Sequence, residues 1–134
     1  MPSKLFVNLP VKDLKKSIDF FTALGFEFDP RFTDDTATCM IVGADSFVML
    51  LVEERFKDFT KKDISVATTH TEVILALSAD SREGVDELVN RAMAAGAQPS
   101  NEPMDMDGMH GWSFQDLDGH LWEVIWMDPN ALER

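Results

Sequence analysis

The chain has 134 residues, which suits one compact domain, and 45% of them are apolar, enough for a buried core and too many for a disordered chain. Its 24 acidic and 12 basic residues give a net charge of −12, so neither nucleic acid nor an anionic membrane surface is expected as a partner. No apolar run approaches the roughly 18 residues of a membrane span, and the N-terminus has no signal-peptide pattern, so a cytoplasmic protein is expected.

The first half of the chain predicts a strand, a helix and three further strands. In the first strand, over residues 5–11, alternate side chains point to opposite faces: Val7, Leu9 and Val11 to one, and Phe6, Asn8 and Pro10 to the other. A helix is predicted over about 13–24, because apolar residues recur at helical spacing, Asp13 can cap its start and Gly25 can end it. The short strands are predicted near 26–28, 37–42 and 46–52.

The only cysteine, Cys39, lies in an apolar stretch of this half. A single thiol excludes a disulfide within the chain and fits a reducing compartment. Because no His or Asp is fixed beside it in the sequence, Cys39 is expected to be a buried core residue rather than a nucleophile.

The second half repeats this order after a connection over residues 53–70, in which one or two helical turns are expected. A strand is predicted over 73–79, followed by a helix that Ser81 caps and Gly96 ends. A loop rich in Met, Pro and Asp is predicted over 99–109. Strands at 111–115 and 120–127 are joined by a predicted hairpin turn, Asp116-Leu117-Asp118-Gly119.

The repeated order predicts a single α+β domain over residues 1–134, built from two βαβββ units. Unit one covers about 4–52, and unit two covers about 71–127. From the pattern alone, a ferredoxin-like sandwich is an alternative, with one strand fewer after each helix.

Two segments at opposite ends of the chain resemble the vicinal oxygen chelate superfamily of glyoxalases, bleomycin resistance proteins and extradiol dioxygenases. The segment FVNLPVKDLKKSIDFFTALGF resembles the family's opening strand, Asp-Leu cap and S-x-x-F-(F/Y) helix, and FQDLDGHLWEVIW resembles its closing motif, D-P-D-G-(N/H)-x-x-E. Within the superfamily, the chain is most similar to the predicted lactoylglutathione lyase-like, or glyoxalase-like, group. The resemblance implies eight strands that form an incomplete barrel around a cleft, and a homodimer.

Metal-dependent members of this family place one ligand on the first strand and one on the last strand of each unit. The corresponding positions here are Phe6, Met49, Ile74 and Glu123. Only Glu123 offers an oxygen ligand, since Phe and Ile have no donor atom and a thioether is a soft ligand. No tightly bound metal or other cofactor is therefore expected. A divalent metal held by His70, Glu72 and Glu123 is an alternative, which requires the first strand of unit two to begin early.

The cleft implied by the resemblance supplies the other candidate site residues. Glu123 is the candidate base or ligand-binding carboxylate, on the cleft face of its strand with Leu121 and Ile125. The side chains expected to bind a ligand are Phe6, Asn8, Met49, Ile74, Met109 and Trp112. Asn8 is expected either to orient the ligand or to hydrogen-bond a neighbouring backbone group or Glu123.

A methionine-rich segment is expected to be adaptable, because the Met side chain is flexible and polarizable. Met104, Met106 and Met109, with Trp112, are interpreted as a lid over an apolar ligand or as packing against a second subunit. Of the histidines nearby, His110 is expected at the mouth of the cleft and His120 at a turn.

Three functions follow from the sequence and the resemblance. The favoured hypothesis is binding of a small, partly apolar organic molecule in the cleft, as in family members that sequester drugs. The first alternative is a glyoxalase-type lyase or isomerase that acts on a glutathione hemithioacetal or a similar substrate. The second is a dimeric structural or regulatory protein with a vestigial cleft.

Overall fold

The computed structural model describes residues 2–130 and shows an α+β protein. The chain divides into two compact units, Met1–Ser65 and Val66–Arg134, each with one sheet and one long helix. Within residues 2–130, no helix is both long enough and apolar enough to cross a membrane.

Unit one has a four-stranded sheet in the order β1-β4-β3-β2. Its elements are β1 (Leu5–Val11), α1 (Leu14–Ala23), β2 (Glu27–Phe28), β3 (Ala37–Ile41), β4 (Ser46–Val52) and the one-turn α2 (Glu53–Phe56). β1 runs parallel to β4, and the other neighbours are antiparallel. Pro10 therefore lies on an edge strand of this sheet, where its missing N–H breaks no ladder bond.

Unit two has a five-stranded sheet in the order β5-β9-β8-β6, with a further short strand, β7, paired to β8. Its elements are β5 (Ile74–Ser78), α3 (Arg82–Ala94), β6 (Gln98–Pro99), β7 (Met104–Met106), β8 (Met109–Gln115) and β9 (Leu121–Met127). As in unit one, the first and last strands are parallel neighbours.

Both long helices begin and end where the sequence predicts. Asp13 accepts a hydrogen bond from the Lys16 amide at 3.1 Å, and Ser81 accepts one from the Gly84 amide at 2.9 Å. Gly25 and Gly96 follow the helices with φ of 103° and 111°, a region that favours glycine. These caps satisfy backbone groups that the helix itself leaves unpaired.

The segment 99–109 differs from its prediction as a loop. It contains β7, which pairs with β8 through the turn Asp107-Gly108, and β8 begins at Met109 rather than at 111. The strands therefore number nine among the described residues instead of eight. The three strands after α1 also exclude the ferredoxin-like alternative for unit one.

One face of each sheet packs against the long helix of its own unit and forms the core. In unit one this face carries Leu9 and Leu50, which are paired across β1 and β4 and are at most 3% exposed. In unit two it carries the fully buried side chains of Phe114, Trp122 and Val124, opposite the apolar stripe of α3. The opposite side, called here the far face of each sheet, carries the candidate site residues other than Trp112.

Candidate functional site

The far face of the second sheet has Glu123 at its centre. The strand register places Glu123 between Ala76 on β5 and Ser113 on β8. Glu123 is half-buried, whereas Ser113 is only 4% exposed. The Ser113 hydroxyl accepts a hydrogen bond from the Asn101 amide at 2.9 Å, so it anchors the segment between β6 and β7.

Most of the other side chains on this face are apolar, and the polar ones, such as Ser113 and Gln115, carry no charge. The face also carries Ile74, Leu121, Ile125, Met104, Met106, Met109 and Met127. Several of them are well exposed, including Ile74 at 54% and Met104 at 54%. Among the strand residues described for this face, Glu123 is the only ionisable one. The arrangement suits a molecule with an apolar body and one hydrogen-bond donor or cationic group.

The far face of the first sheet carries an aromatic pair. The rings of Phe6 and Phe47 stack with centroids 4.9 Å apart and an interplanar angle of 16°. The Lys4 ammonium lies 5.5 Å from the centre of the Phe47 ring. Asn8 is paired with Met49 across the strands, and its side-chain amide donates a hydrogen bond to the Phe6 carbonyl at 3.4 Å. The predicted bond of Asn8 to a neighbouring backbone group is therefore present.

The four positions that correspond to family metal ligands lie on the far faces of the two sheets. Phe6 and Met49 belong to the first sheet, and Ile74 and Glu123 belong to the second. Their side chains do not fit a divalent metal ion, because only Glu123 has a hard donor atom.

The alternative metal site is not supported by the geometry. β5 begins at Ile74, so His70 and Glu72 precede the strand and do not share its far face. His70 instead belongs to a turn, where its amide donates to the Val66 carbonyl at 2.8 Å and its ring contacts the Thr69 hydroxyl. Within residues 2–130, no group of three or more His, Cys, Asp or Glu side chains lies in an arrangement that could hold a metal ion.

The predicted cluster of Met104, Met106, Met109 and Trp112 is divided between the two faces of the sheet. The three methionines lie on the far face, whereas Trp112 is paired with Val124 on the helix-facing side. Successive residues of a strand point to opposite sides, so Trp112 and Met109 cannot act on one surface. The expectation that they form a single lid is wrong.

Asp116 is a buried carboxylate that organises the closing motif. Its Oδ2 atom accepts a hydrogen bond from the Trp122 indole at 2.9 Å, and its Oδ1 atom accepts bonds from the amides of Asp118 and His120 at 2.9 and 3.0 Å. Burial raises the pKa of Asp116, and the charge of His120 and the three donors oppose that rise. The motif therefore fixes the β8–β9 turn, and with it the register of Glu123.

Cys39 is buried at 1% exposure, as predicted from its apolar surroundings. Burial raises the pKa of its thiol, with the Asp29 carboxylate adding to the effect. A thiol held in the protonated form is a poor nucleophile, so the residue fits its predicted role in the core.

His110 contacts both α3 and β7, on the opposite side of the sheet from Glu123. It is 8% exposed and lies on the helix-facing side of β8, paired with Trp126. Its Nε2 atom is 2.8 Å from the Asp86 carboxylate on α3, and its Nδ1 atom is 3.2 Å from the Asp105 carboxylate on β7. Arg82 also contacts Asp105, and its guanidinium lies over the Trp126 ring at 4.8 Å. A strand that begins at Met109 brings His110 to this side by simple alternation.

The carboxylates of Asp86 and Asp105 beside His110 make the folding stability of the protein depend on pH. The hydrogen bond to Asp86, and then the Asp105 contact, raise the pKa of His110, while burial opposes the rise. The charged imidazolium thus stabilises the fold fully below the unfolded-state pKa of about 6.5, and this contribution is lost as the pH rises through the higher folded-state value.

We therefore expect His110→Gln to destabilise the protein by about 1.5–3 kcal/mol at pH 6, the range for a hydrogen bond to a charged group. The difference from wild type in urea unfolding should shrink as the pH rises to about 9. His70→Gln is the matched control, since His70 is exposed. If the difference in unfolding free energy between wild type and His110→Gln stays constant over this pH range, the ion pairs of His110 do not stabilise the fold.

Comparisons with known proteins agree with this architecture. A family model, Glyoxalase/Bleomycin resistance protein/Dioxygenase superfamily, matches residues 5–124. The hypothetical protein SA1046 from S. aureus has a similar structure, with 32% sequence identity and a TM-score of 0.79 over 94% of this chain and 95% of that chain. A comparison with curated protein sequences gives no match.

Two further structures have similar folds at lower identity. A mutant of the fosfomycin resistance protein FosX from Listeria monocytogenes, complexed with Mn(II) and 1S,2S-dihydroxypropylphosphonic acid, is 23% identical with a TM-score of 0.68, over 92% of this chain and 90% of that chain. TioX from Micromonospora sp. ML1 is 23% identical with a TM-score of 0.61, over 92% of this chain and 95% of that chain.

Proposed function

This chain belongs to the glyoxalase/bleomycin resistance protein/dioxygenase superfamily, and we propose that it binds a small, partly apolar organic molecule without a tightly bound metal ion. The observation that carries the proposal is the far face of the second sheet, where Glu123 is the only ionisable one of the described strand residues and most of the others are apolar. Sites for small molecules are mostly apolar, with a few polar groups that set orientation. The ligand is therefore a molecule with an apolar body and a donor or cationic group for the carboxylate.

The side chains at the four positions that correspond to family metal ligands support ligand binding rather than metal-assisted catalysis. Zinc normally requires three or four protein ligands, and Glu123 is the only hard ligand among the four corresponding positions. Phe6 and Ile74, at two of the others, present exposed hydrocarbon surface at 49% and 54% exposure. On the second sheet, Ile74 adds apolar contact area for an organic ligand at Glu123. A role in sequestering a drug or toxic metabolite fits this surface.

The acridine dye proflavine is a suitable probe, because it combines a planar apolar body with a positive charge. We expect the wild-type chain to bind it in EDTA-containing buffer, with Glu123→Gln weakening binding about tenfold, the cost of losing a charge-assisted hydrogen bond. Fluorescence titration measures the two affinities. Glu53→Gln is the matched control, since Glu53 lies in α2 and outside both far faces.

Equal affinity in wild type and Glu123→Gln would contradict the proposed role of the carboxylate. Binding that requires an added divalent metal would contradict the metal-free site. The lyase alternative has its own readout, which is turnover of the hemithioacetal of methylglyoxal and glutathione. Turnover that is lost in Glu123→Ala would favour the lyase over the binding function.

A further inference from the structure

Three methionines form a row across the far face of the second sheet, separate from Glu123. Met106 on β7 is paired with Met109 on β8, and Met109 is paired with Met127 on β9. Paired residues of antiparallel strands point to the same side, so all three thioethers project from one surface. This set is called the methionine row.

The spacing of the strands allows the three sulfur atoms to converge. Neighbouring strands lie about 4.8 Å apart, so the outer members of the row are about 10 Å apart at the backbone. Each Met side chain has three rotatable bonds beyond Cα and adjusts its sulfur position at little cost. Met109 in the centre can thus be approached by Met106 from one side and Met127 from the other.

The row is accessible and its backbone is fixed. Met106 is 53% exposed and Met127 is 46% exposed, so an ion reaches the sulfur atoms without unfolding. The Asp128 amide donates to the Gly108 carbonyl at 2.8 Å, which ties the end of β9 to the turn between β7 and β8. Rigid backbone beneath flexible side chains lowers the cost of assembling a site.

The charges around the row favour a cation. Asp107 and Asp128 directly adjoin members of the row in the sequence, and the whole chain has a net charge of −12. A neighbouring basic group, Arg82, contacts the Met106 carbonyl but stacks on Trp126, which lies on the helix-facing side. Positive charge is therefore directed away from the surface that carries the thioethers.

We propose that Met106, Met109 and Met127 form a binding site for a soft monovalent metal ion of the Cu(I) class. Thioether sulfur is a soft ligand that selects Cu(I) over Zn(II), Mg(II) and Ca(II). The metal site shares the far face with the proposed organic-ligand site, but Glu123 is not one of its ligands, because it lies four residues along β9 from Met127.

Silver(I) is the probe, because it shares the charge and the sulfur preference of Cu(I) and needs no protection from air. The full chain, labelled with 13C at the methionine methyl groups, is titrated with silver nitrate in chloride-free buffer and followed by NMR. We expect one Ag(I) per chain and shifts in the methyl signals of Met106, Met109 and Met127. The signal of Met49 in the first sheet should not move.

Substitutions then assign the ligands. Met109→Leu keeps an apolar side chain of similar size, and we expect it to weaken Ag(I) binding at least tenfold, with Met49→Leu as the matched control. Cys39→Ala removes the only thiol and should leave the affinity within about twofold of wild type. Glu123→Gln should also leave it unchanged, which separates this site from the proposed organic ligand.

Three results would overturn the proposal. They are the absence of Ag(I) binding to the wild-type chain, undiminished binding in Met109→Leu, and loss of binding in Cys39→Ala with the methionine signals unmoved. Circular dichroism of each variant establishes that it is folded before the titration. Competition of the wild-type chain with bicinchoninate for Cu(I) then extends the result from the probe to the proposed metal.

Discussion

Replacing Asp116 with alanine is expected to lower the free energy of unfolding by about 3 kcal/mol, because three hydrogen-bond donors lose their acceptor at once. The Trp122 indole is fully buried, so its N–H would have no water in place of the carboxylate. The amides of Asp118 and His120 would also lose their partner within the β8–β9 turn. Urea unfolding at neutral pH measures the change.

The matched control for this substitution is Asp63→Ala, since Asp63 is exposed. Its change should stay within about 0.5 kcal/mol of wild type. Asp116→Asn tests the role of the acceptor further, because one amide oxygen remains. A stability of Asp116→Ala close to that of Asp63→Ala would show that the turn does not depend on the carboxylate.

Replacing Gly119 with alanine is expected to cost about 3 kcal/mol, since a positive φ and a backbone contact oppose the new methyl group together. Gly119 has a φ of 91°, and a Cβ placed there would lie 2.9 Å from the Cα of Thr68 and 3.0 Å from the carbonyl of Ala67. These are backbone atoms, so they cannot move aside as a flexible side chain can. The midpoint of thermal unfolding should therefore fall by several degrees.

Gly43→Ala is the matched control for Gly119→Ala. Gly43 has no heavy atom within 4 Å of the position that a Cβ would take, so its substitution should be nearly neutral. Equal stability of the two variants would mean that the turn at Gly119 and the segment before β5 can separate without cost.

These two predictions assign an architectural role to the closing motif. Asp116 and Gly119 hold the turn, and Trp122 fills the core beneath it. Glu123 is the next residue and points to the far face. The motif therefore preserves the fold independently of any metal-dependent chemistry at the site. This explains why the chain can resemble the family in its closing motif while its side chains at the metal-ligand positions do not suit a divalent metal.

The sequence alone was sufficient for features that depend on local chemistry. Helix caps at Asp13 and Ser81 were predicted correctly, because a capping side chain acts within three residues of its own position. The direction of Glu123, opposite Trp122 and Val124, was also predicted correctly, since alternation along a strand is a local rule.

Pairing between distant segments was decided only by the tertiary structure. Residues 104–106 have the composition of a loop, yet they form β7 because β8 offers them unpaired backbone groups. The Asp107-Gly108 turn was the one local signal for this hairpin. Recognising it would have started β8 at Met109 and placed His110 on the helix-facing side.

Pairing between distant segments also creates the methionine row and the contact of His110 with Asp86 and Asp105. Each brings together residues from two or three elements, and the energy that aligns them comes from the whole sheet and from α3. The sequence by itself determined the elements, their faces and the repeated unit. Only the tertiary structure decided which side chains become neighbours, because strand register is set by hydrogen bonds between segments far apart in the chain.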